Sequence, residues 1–294
     1  MKILVLAKQV PDTRNVGKDA MKEDGTVNRA ALPAIFNPDD LCALEMALEA
    51  KDRLENAEVF VITMGPSRAA EIIRESIYRG ADKGFLLTDR KFAGSDTLAT
   101  SYAISQAAKL WQPDLIFCGL QAIDGDTAQV GPQTAEKLGF PQITYAEELV
   151  EIDHHHIVVK RRLERGVETV KSTLPALVTV HGSAPACRSR NAKRVMQYKR
   201  AHTISEMQNE NNDYANVETD NYPSLRDKPY LLIEEWNAGF IKANDHFLGL
   251  SGSPTKVKKI DNVILTQKEN KTLTASNTDI ELLITELLDS RIIG

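Results

Sequence analysis

Residues 118–132 constrain the fold most, because they have the pattern of a buried strand end, a tight turn and a helix start in succession. Residues 115–118 are apolar, as in a parallel strand covered on both faces. Asp126 or Thr127 is expected to cap the helix that follows. The backbone N–H groups of residues 126–130 would then lack helical partners, and such groups attract anions. The stretch therefore predicts a site for a nucleotide phosphate.

Two carboxylates in this loop limit how a phosphate could bind there. Asp124 and Asp126 would repel an anion if they faced it, so the prediction requires them to point elsewhere, to a ribose hydroxyl or to a helix cap. An Asp-Gly-Asp-Thr turn before a helix can also be only a turn with its N-cap. Both interpretations remain open from the loop alone.

Composition excludes several classes of partner and site. The 294 residues are 42% hydrophobic and 26% charged, with a net charge of -5, so there is no basic excess for nucleic-acid phosphates or anionic lipid. No apolar run approaches the roughly 20 residues of a membrane span, and the N-terminal run is too short for a secretory signal. A cytoplasmic protein with no nucleic-acid partner and no membrane insertion is expected. Three widely spaced cysteines indicate neither a disulfide framework nor a metal site.

Strand and helix patterns alternate through the first 141 residues. Apolar runs typical of buried strands occupy residues 3–7, 59–64, 85–87 and 115–118, and helical patterns begin near residues 37, 67, 96 and 126. With right-handed crossovers, this order predicts an α/β fold with a doubly wound, mostly parallel sheet. Ligands of such sheets bind beyond the carboxyl ends of the strands.

The later part of the chain has a different pattern. Alternating strands flank His154, His155 and His156, which predicts an antiparallel hairpin added to the sheet. Adjacent side chains of an extended strand point to opposite faces, so a solvated turn is favoured over a metal site. We predict a nucleotide-binding domain at residues 1–200 and an extended C-terminal arm at residues 201–294, ending in a helix with an apolar stripe.

A basic stretch lies at the end of the predicted domain. Residues 188–200 contain six Arg or Lys residues around a helical pattern near Val195 and Met196. From the residues alone, the expected structure is a solvated helix face.

Several motifs, in order, make the sequence resemble the beta subunit of electron transfer flavoproteins over roughly its first 200 residues. They are Lys8-Gln-Val-Pro-Asp12, Asn37-Pro38, Gly65-Pro66, the loop at residues 119–131, and a glycine-containing hairpin that leads through Glu168 to the strand at residues 174–179. Arg165 departs from the pattern, because the family usually has Gly, Asp or Glu there. It lies near the expected hairpin tip, where the change should be tolerated.

The resemblance implies a heterodimer with an alpha subunit that carries FAD, and an adenosine-nucleotide site in the beta subunit. We expect the C-terminal arm and its helix, at residues 201–294, to contact that alpha subunit. Carried over by position, that site would comprise Ala7, Asn37, Pro38, Asp39, Asp40, Met64, Gly119, Leu120, Gln121, Ala122, Ile123, Asp124, Gly125, Asp126, Thr127, Ala128, Gln129 and Val130. The basic residues 188–200 fall where the family has its partner-recognition segment, although the local spacing differs from the mitochondrial pattern.

Small loop residues are more similar to the electron-bifurcating branch of the family than to the branch that holds AMP. Gly125 would let the backbone approach a diphosphate, and Ala128 leaves room in the site. The resemblance then implies FAD in the beta site and NADH as donor. One electron would pass to the alpha-subunit FAD and an acyl-CoA dehydrogenase-like or other flavin dehydrogenase, and one to ferredoxin or flavodoxin. No side chain needs to act as an acid or a base, since the flavin carries the chemistry.

Two alternatives stand beside this expectation. The subunit could instead hold AMP structurally and support the FAD of the alpha subunit. An adenine-nucleotide hydrolase or sensor on the same sheet is a third hypothesis, but the sequence has no Lys-Ser/Thr phosphate loop and no catalytic triad that we recognise.

Overall fold

The computed structural model describes residues 1–12, 33–209, 228–255 and 272–290. Residues 13–32, 210–227, 256–271 and 291–294 lie outside these ranges, so part of the arm expected from residue 201 is not described. The chain divides into two compact units, residues 1–257 and 258–294.

Eleven strands are present in the described residues, and nine of them form one sheet. The strands are β1 (Lys2–Leu6), β2 (Gln9–Pro11), β3 (Ala34–Phe36), β4 (Glu58–Met64), β5 (Lys83–Leu87), β6 (Leu115–Gly119), β7 (Gln142–Ile152), β8 (His156–Leu163), β9 (Gly166–Thr173), β10 (Ala176–Val180) and β11 (Glu234–Trp236). The sheet order is β11-β5-β4-β1-β6-β10-β7-β8-β9, and β2 pairs with β3 in a small antiparallel sheet. Pairing is parallel from β11 to β7 and antiparallel from β7 to β9. The predicted fold class is therefore confirmed.

Seven α-helices are described. They are α1 (Pro38–Arg53), α2 (Ala70–Arg79), α3 (Thr97–Trp111), α4 (Val130–Leu138), α5 (Ala192–Tyr198), α6 (Ile204–Asn209) and α7 (Asn277–Asp289). Ser67 begins a short 3₁₀ turn rather than capping α2, which starts three residues later. No helix in the described ranges is long and apolar enough to cross a bilayer.

Helices cover both faces of the sheet, which is why the central strands are continuously apolar. Alternate residues of a strand point to opposite faces. Ile3 and Val5 of β1 pack with α1 on one side, and Leu4 and Leu6 pack with α3 on the other. Because both faces of the sheet are buried, polar side chains that could bind a ligand are expected at the strand ends, where loops leave the sheet.

The antiparallel hairpin has the predicted histidines at its turn. Asp153 accepts hydrogen bonds from the backbone N–H groups of His155 and His156, and the side chains of His154 and His155 are exposed. His156 instead lies beside Asp153 and Glu151. Each of the three offers one side-chain atom of a type that can bind a metal ion, and these atoms lie within 4.8 Å of one another. Arg165 lies in the β8–β9 turn, where the sequence placed it.

The first compact unit extends beyond residue 200, where we predicted the domain boundary. Strand β11 pairs in parallel with β5, and the Trp236 and Phe85 rings stack with centroids 4.1 Å apart. Arg74 of α2 forms a buried ion pair with Glu206 of α6. The three residues of β11, Glu-Glu-Trp, are too few to show a strand period, which is why the sequence did not reveal it.

The basic stretch is a solvated face only in part, which corrects the expectation from its charge. Arg188 binds Glu45 of α1, and Arg190 binds Glu75 of α2. Arg194 donates to backbone carbonyls at the end of α2. Other cations, Lys193 and Lys199 among them, are exposed. Arg188, Arg190 and Arg194 thus attach the segment to the domain, whereas Lys193 and Lys199 face solvent.

In the second unit, the predicted tail helix is present as α7. The Ser276 side chain caps it by accepting a hydrogen bond from the Asp279 N–H. Most of its apolar residues are exposed, including Ile280, Leu283 and Leu288. The contact of this stripe with an alpha subunit stays a prediction.

Candidate functional site

Strands β1, β4, β6 and β10 end at the same edge of the sheet, and the start of α1 crosses this edge. Asn37, just before α1, is fully buried and binds the loop that follows β6. Its Nδ2 donates to the Gln121 carbonyl at 2.8 Å, and its Oδ1 accepts from the Ile123 N–H at 3.2 Å. Asn37 is the N-cap residue by position, but its side chain makes no cap hydrogen bond, because both of its polar atoms hold the loop.

Asp40 joins the ends of the two central strands. One carboxylate oxygen accepts from the Lys8 N–H at 2.8 Å, and the other accepts from the Gly119 N–H at 2.9 Å. Burial raises the pKa of Asp40 to about 7, although the two backbone hydrogen bonds oppose this shift. Both oxygens are thus occupied, which makes Asp40 a brace for the edge.

Glycine is required where α1 approaches β6. A Cβ atom on Gly119 would lie 2.4 Å from Asp40 Oδ1 and 2.7 Å from the Asp39 backbone carbon. Asp39 is half-buried, and burial raises the pKa of its carboxyl group, with a further rise from the nearby charge of Asp126. His181, after β10, acts in the opposite direction. The edge therefore gathers several carboxylates at close range.

Helix α4 begins later than the sequence indicated. Its N-cap is Gln129, and neither Asp126 nor Thr127 caps it. Asp126 and Ala128 have φ angles of 48° and 52°, a left-handed conformation that keeps these residues out of a right-handed helix. The expectation of a cap at residue 126 or 127 is therefore wrong, and the open loop is longer.

A run of free backbone N–H groups results from this late helix start. The Asp126 N–H donates to the Ala122 carbonyl at 2.9 Å, so it is not free as we expected. Among the described residues, none accepts a hydrogen bond from the N–H groups of residues 127–130. Two of these donors, on Gln129 and Val130, lie at the helix start, where unpaired N–H groups favour an anion, and the other two lie in the loop before it.

Asp124 is turned to a cation. Lys8 Nζ lies 2.7 Å and 2.8 Å from the two Asp124 carboxylate oxygens. The Asp124 carboxylate therefore faces Lys8 rather than a helix cap, an arrangement that the sequence did not suggest. Asp126 is exposed.

The remaining predicted site residues lie along the same edge. Ala7 follows β1 and is hydrogen-bonded through its N–H to Ile62 of β4, and Met64 ends β4 half-buried. Pro38 opens α1. The contacts above bring Asn37, Asp40 and the loop from Gly119 to Asp124 together directly.

Sequence reasoning missed the contribution of β10. The Leu120 N–H donates to the Val180 carbonyl, and His181 follows with its Nδ1 2.8 Å from Ser183 Oγ. The Tyr145 ring stacks beside His181, with centroids 6.2 Å apart. The signal was available, because the apolar run at residues 174–180 marks a strand whose carboxyl end had to reach this edge.

Comparisons with known proteins agree on one family. The model for the electron transfer flavoprotein domain matches residues 24–205. The electron transfer flavoprotein subunit beta of Megasphaera elsdenii is 41% identical over 267 residues, covering 88% of this chain and 87% of the relative. The acryloyl-CoA reductase electron transfer subunit gamma of Anaerotignum propionicum is 40% identical over 88% of this chain and 87% of its own. The caffeyl-CoA reductase-Etf complex subunit CarD of Acetobacterium woodii is 48% identical over 61% of this chain and 68% of its own.

The raised pKa of Asp40 predicts a specific pH dependence of stability. Folding raises this pKa from 3.8 to about 7, so the folded state binds the proton more tightly and its advantage is lost as pH rises through 7. Relative to Asp40→Asn, the unfolding free energy of the wild-type chain should fall between pH 4 and pH 7 by up to about 4 kcal/mol. Urea denaturation at fixed ionic strength measures this. A difference that is constant over this range would show that the carboxyl group titrates normally.

Proposed function

The chain belongs to the electron transfer flavoprotein family, among its beta subunits, and we propose that it binds FAD at the carboxyl edge of its sheet and takes electrons from NADH. The main observation that supports this proposal is the run of free N–H groups at residues 127–130. A diphosphate needs donors of this kind. Asp124, in the same loop, is already paired with Lys8, and Asp126, directly before the run, is exposed to solvent.

The shape of the loop supports a ligand with a diphosphate. A Cβ atom on Gly125 would meet nothing within 4 Å, so the space beside the backbone is open there. Ala128 has a small side chain, and its backbone has a strained left-handed conformation. Strain of this kind costs stability, and binding sites are a common place for it. The residues present therefore fit the phosphate end of FAD.

FAD, when bound, supplies the redox chemistry by accepting an electron pair and releasing electrons singly. The chain's own residues bind and orient. Asn37 and Asp40 fix the loop on the strand ends, and the N–H groups of residues 127–130 receive the diphosphate. No side chain is assigned a proton transfer.

The partners are proposed from the family and from the names of two relatives. An alpha subunit with its own FAD takes one electron and hands it to an acyl-CoA dehydrogenase-like or other flavin dehydrogenase. Two relatives are named for acryloyl-CoA and caffeyl-CoA reductases, which supports a partner acting on a CoA thioester. The second electron goes to ferredoxin or flavodoxin, so that the pair is bifurcated. The exposed cations of residues 188–200 are suited to an acidic partner surface.

Counting the nucleotides released from the purified heterodimer tests the proposal. Denaturation followed by chromatography should give two FAD molecules per heterodimer, because each subunit holds one. One FAD and one AMP would contradict the proposal, and would support the alternative in which this subunit holds AMP structurally.

Replacing Gly125 separates binding from folding. Gly125→Ala should leave the unfolding midpoint in urea unchanged, because the added methyl group meets no atom within 4 Å. If the diphosphate lies against this backbone, the methyl group should weaken FAD retention about tenfold, comparable to the loss of one hydrogen bond to a charged group. Equilibrium dialysis measures the retention.

Gly119→Ala is the matched control for Gly125→Ala, since its methyl group would collide with Asp40 and lower stability as well. Unchanged FAD retention in Gly125→Ala would place the diphosphate elsewhere.

A further inference from the structure

We propose that the ion pair between Lys8 and Asp124 is a latch that sets the direction of the free N–H groups at residues 127–130. Lys8 is then a positioning residue, which acts through the loop and does not touch the phosphate. The inference deepens the proposed function and rests on the nucleotide site described above.

The backbone of Lys8 is fixed before its side chain reaches the loop. Its N–H donates to buried Asp40 at 2.8 Å, and its carbonyl accepts from the Asn37 N–H at 3.0 Å. The start of α1 therefore holds Lys8 at the end of the central strand β1. A side chain that begins from a fixed backbone loses less entropy when it forms an ion pair.

Asp124 is the last point at which the loop is attached before the free donors. Leu120 is bound to β10, and Gln121 and Ile123 are bound to Asn37. Among the described residues, the next hydrogen bond from this loop to another element after Asp124 is at Gln129, whose side chain accepts from Thr97. If the Lys8 contact were lost, the turn on the Ala122 carbonyl would be the one hydrogen-bonded restraint that the described part of the chain places on residues 124–128.

The same pair removes an electrostatic obstacle. Lys8 contacts both Asp124 oxygens, so the charge of Asp124 is balanced, and the Asp126 carboxylate, directly before the free donors, is exposed to solvent. The Lys8 side chain is 49% exposed and that of Asp124 is 21% exposed, so the pair is screened and its effect on affinity is moderate. The latch thus works chiefly by orientation.

Charge reversal within the pair tests the latch. AMP and FAD are titrated separately into the full-length chain after nucleotide removal, for wild type, Lys8→Met, Asp124→Asn and the double variant Lys8→Asp with Asp124→Lys. Each single change should weaken binding of both probes about threefold to fivefold, the range of a partly exposed ion pair. The double variant, which restores a pair of opposite charges, should recover most of the loss.

Hydrogen exchange of the nucleotide-free chain gives an independent readout. Amides in residues 120–130 should exchange faster in Lys8→Met and Asp124→Asn than in wild type, and the double variant should restore slow exchange. Lys160→Met removes a comparable exposed ion pair with Glu148 on the hairpin and should leave this loop unchanged.

Three outcomes would overturn the latch. The first is unchanged loop exchange in both single variants. The second is tighter binding by Asp124→Asn, which would mean that its charge simply repels the ligand. The third is a double variant with restored exchange but binding as weak as Lys8→Met, which would show that Lys8 contacts the phosphate. If wild type binds neither AMP nor FAD, the proposed function fails, and the exchange comparison still decides the latch.

Discussion

The structure depends on one buried carboxylate at the carboxyl edge of the sheet. Asp40 accepts one backbone hydrogen bond from each of the two central strand ends, at Lys8 and Gly119. Because Asp40 belongs to the first turn of α1, the helix, both strands and the loop after β6 are fixed in one place. The pKa of about 7 indicates that burial of this carboxyl group costs free energy. Costs of this kind are common at sites that must hold a fixed geometry.

Much of the sheet could be predicted from the sequence, since strands covered on both faces are long apolar runs. The end of the first compact unit could not be predicted in this way. Strand β11 has three residues, and only Trp236 of them is buried, so its place beside β5 is decided by the stacked Phe85 ring and not by a local pattern. Arg188 and Arg190 likewise pair with carboxylates on α1 and α2 that are more than 100 positions away in the sequence.

The position of the candidate site followed from strand ends, but its internal contacts did not. Asn37 has the sequence signature of a helix cap, yet its side chain binds Gln121 and Ile123, because the folded loop offers better partners. The pairing of Lys8 with Asp124 joins residues that are far apart in the chain. Ala128 has a left-handed backbone conformation, and α4 begins only after it. An alanine in the sequence does not predict this conformation, which favours glycine.

The central claim is that the backbone N–H groups of residues 127–130 bind a nucleotide phosphate. Amide chemical shifts of the isotopically labelled full-length chain, followed during titration with FAD, test it most directly. We expect the largest changes at Thr127, Ala128, Gln129 and Val130, because new hydrogen bonds to an anion act on those protons. Saturable binding with the largest changes elsewhere, and none at these four amides, would contradict the account.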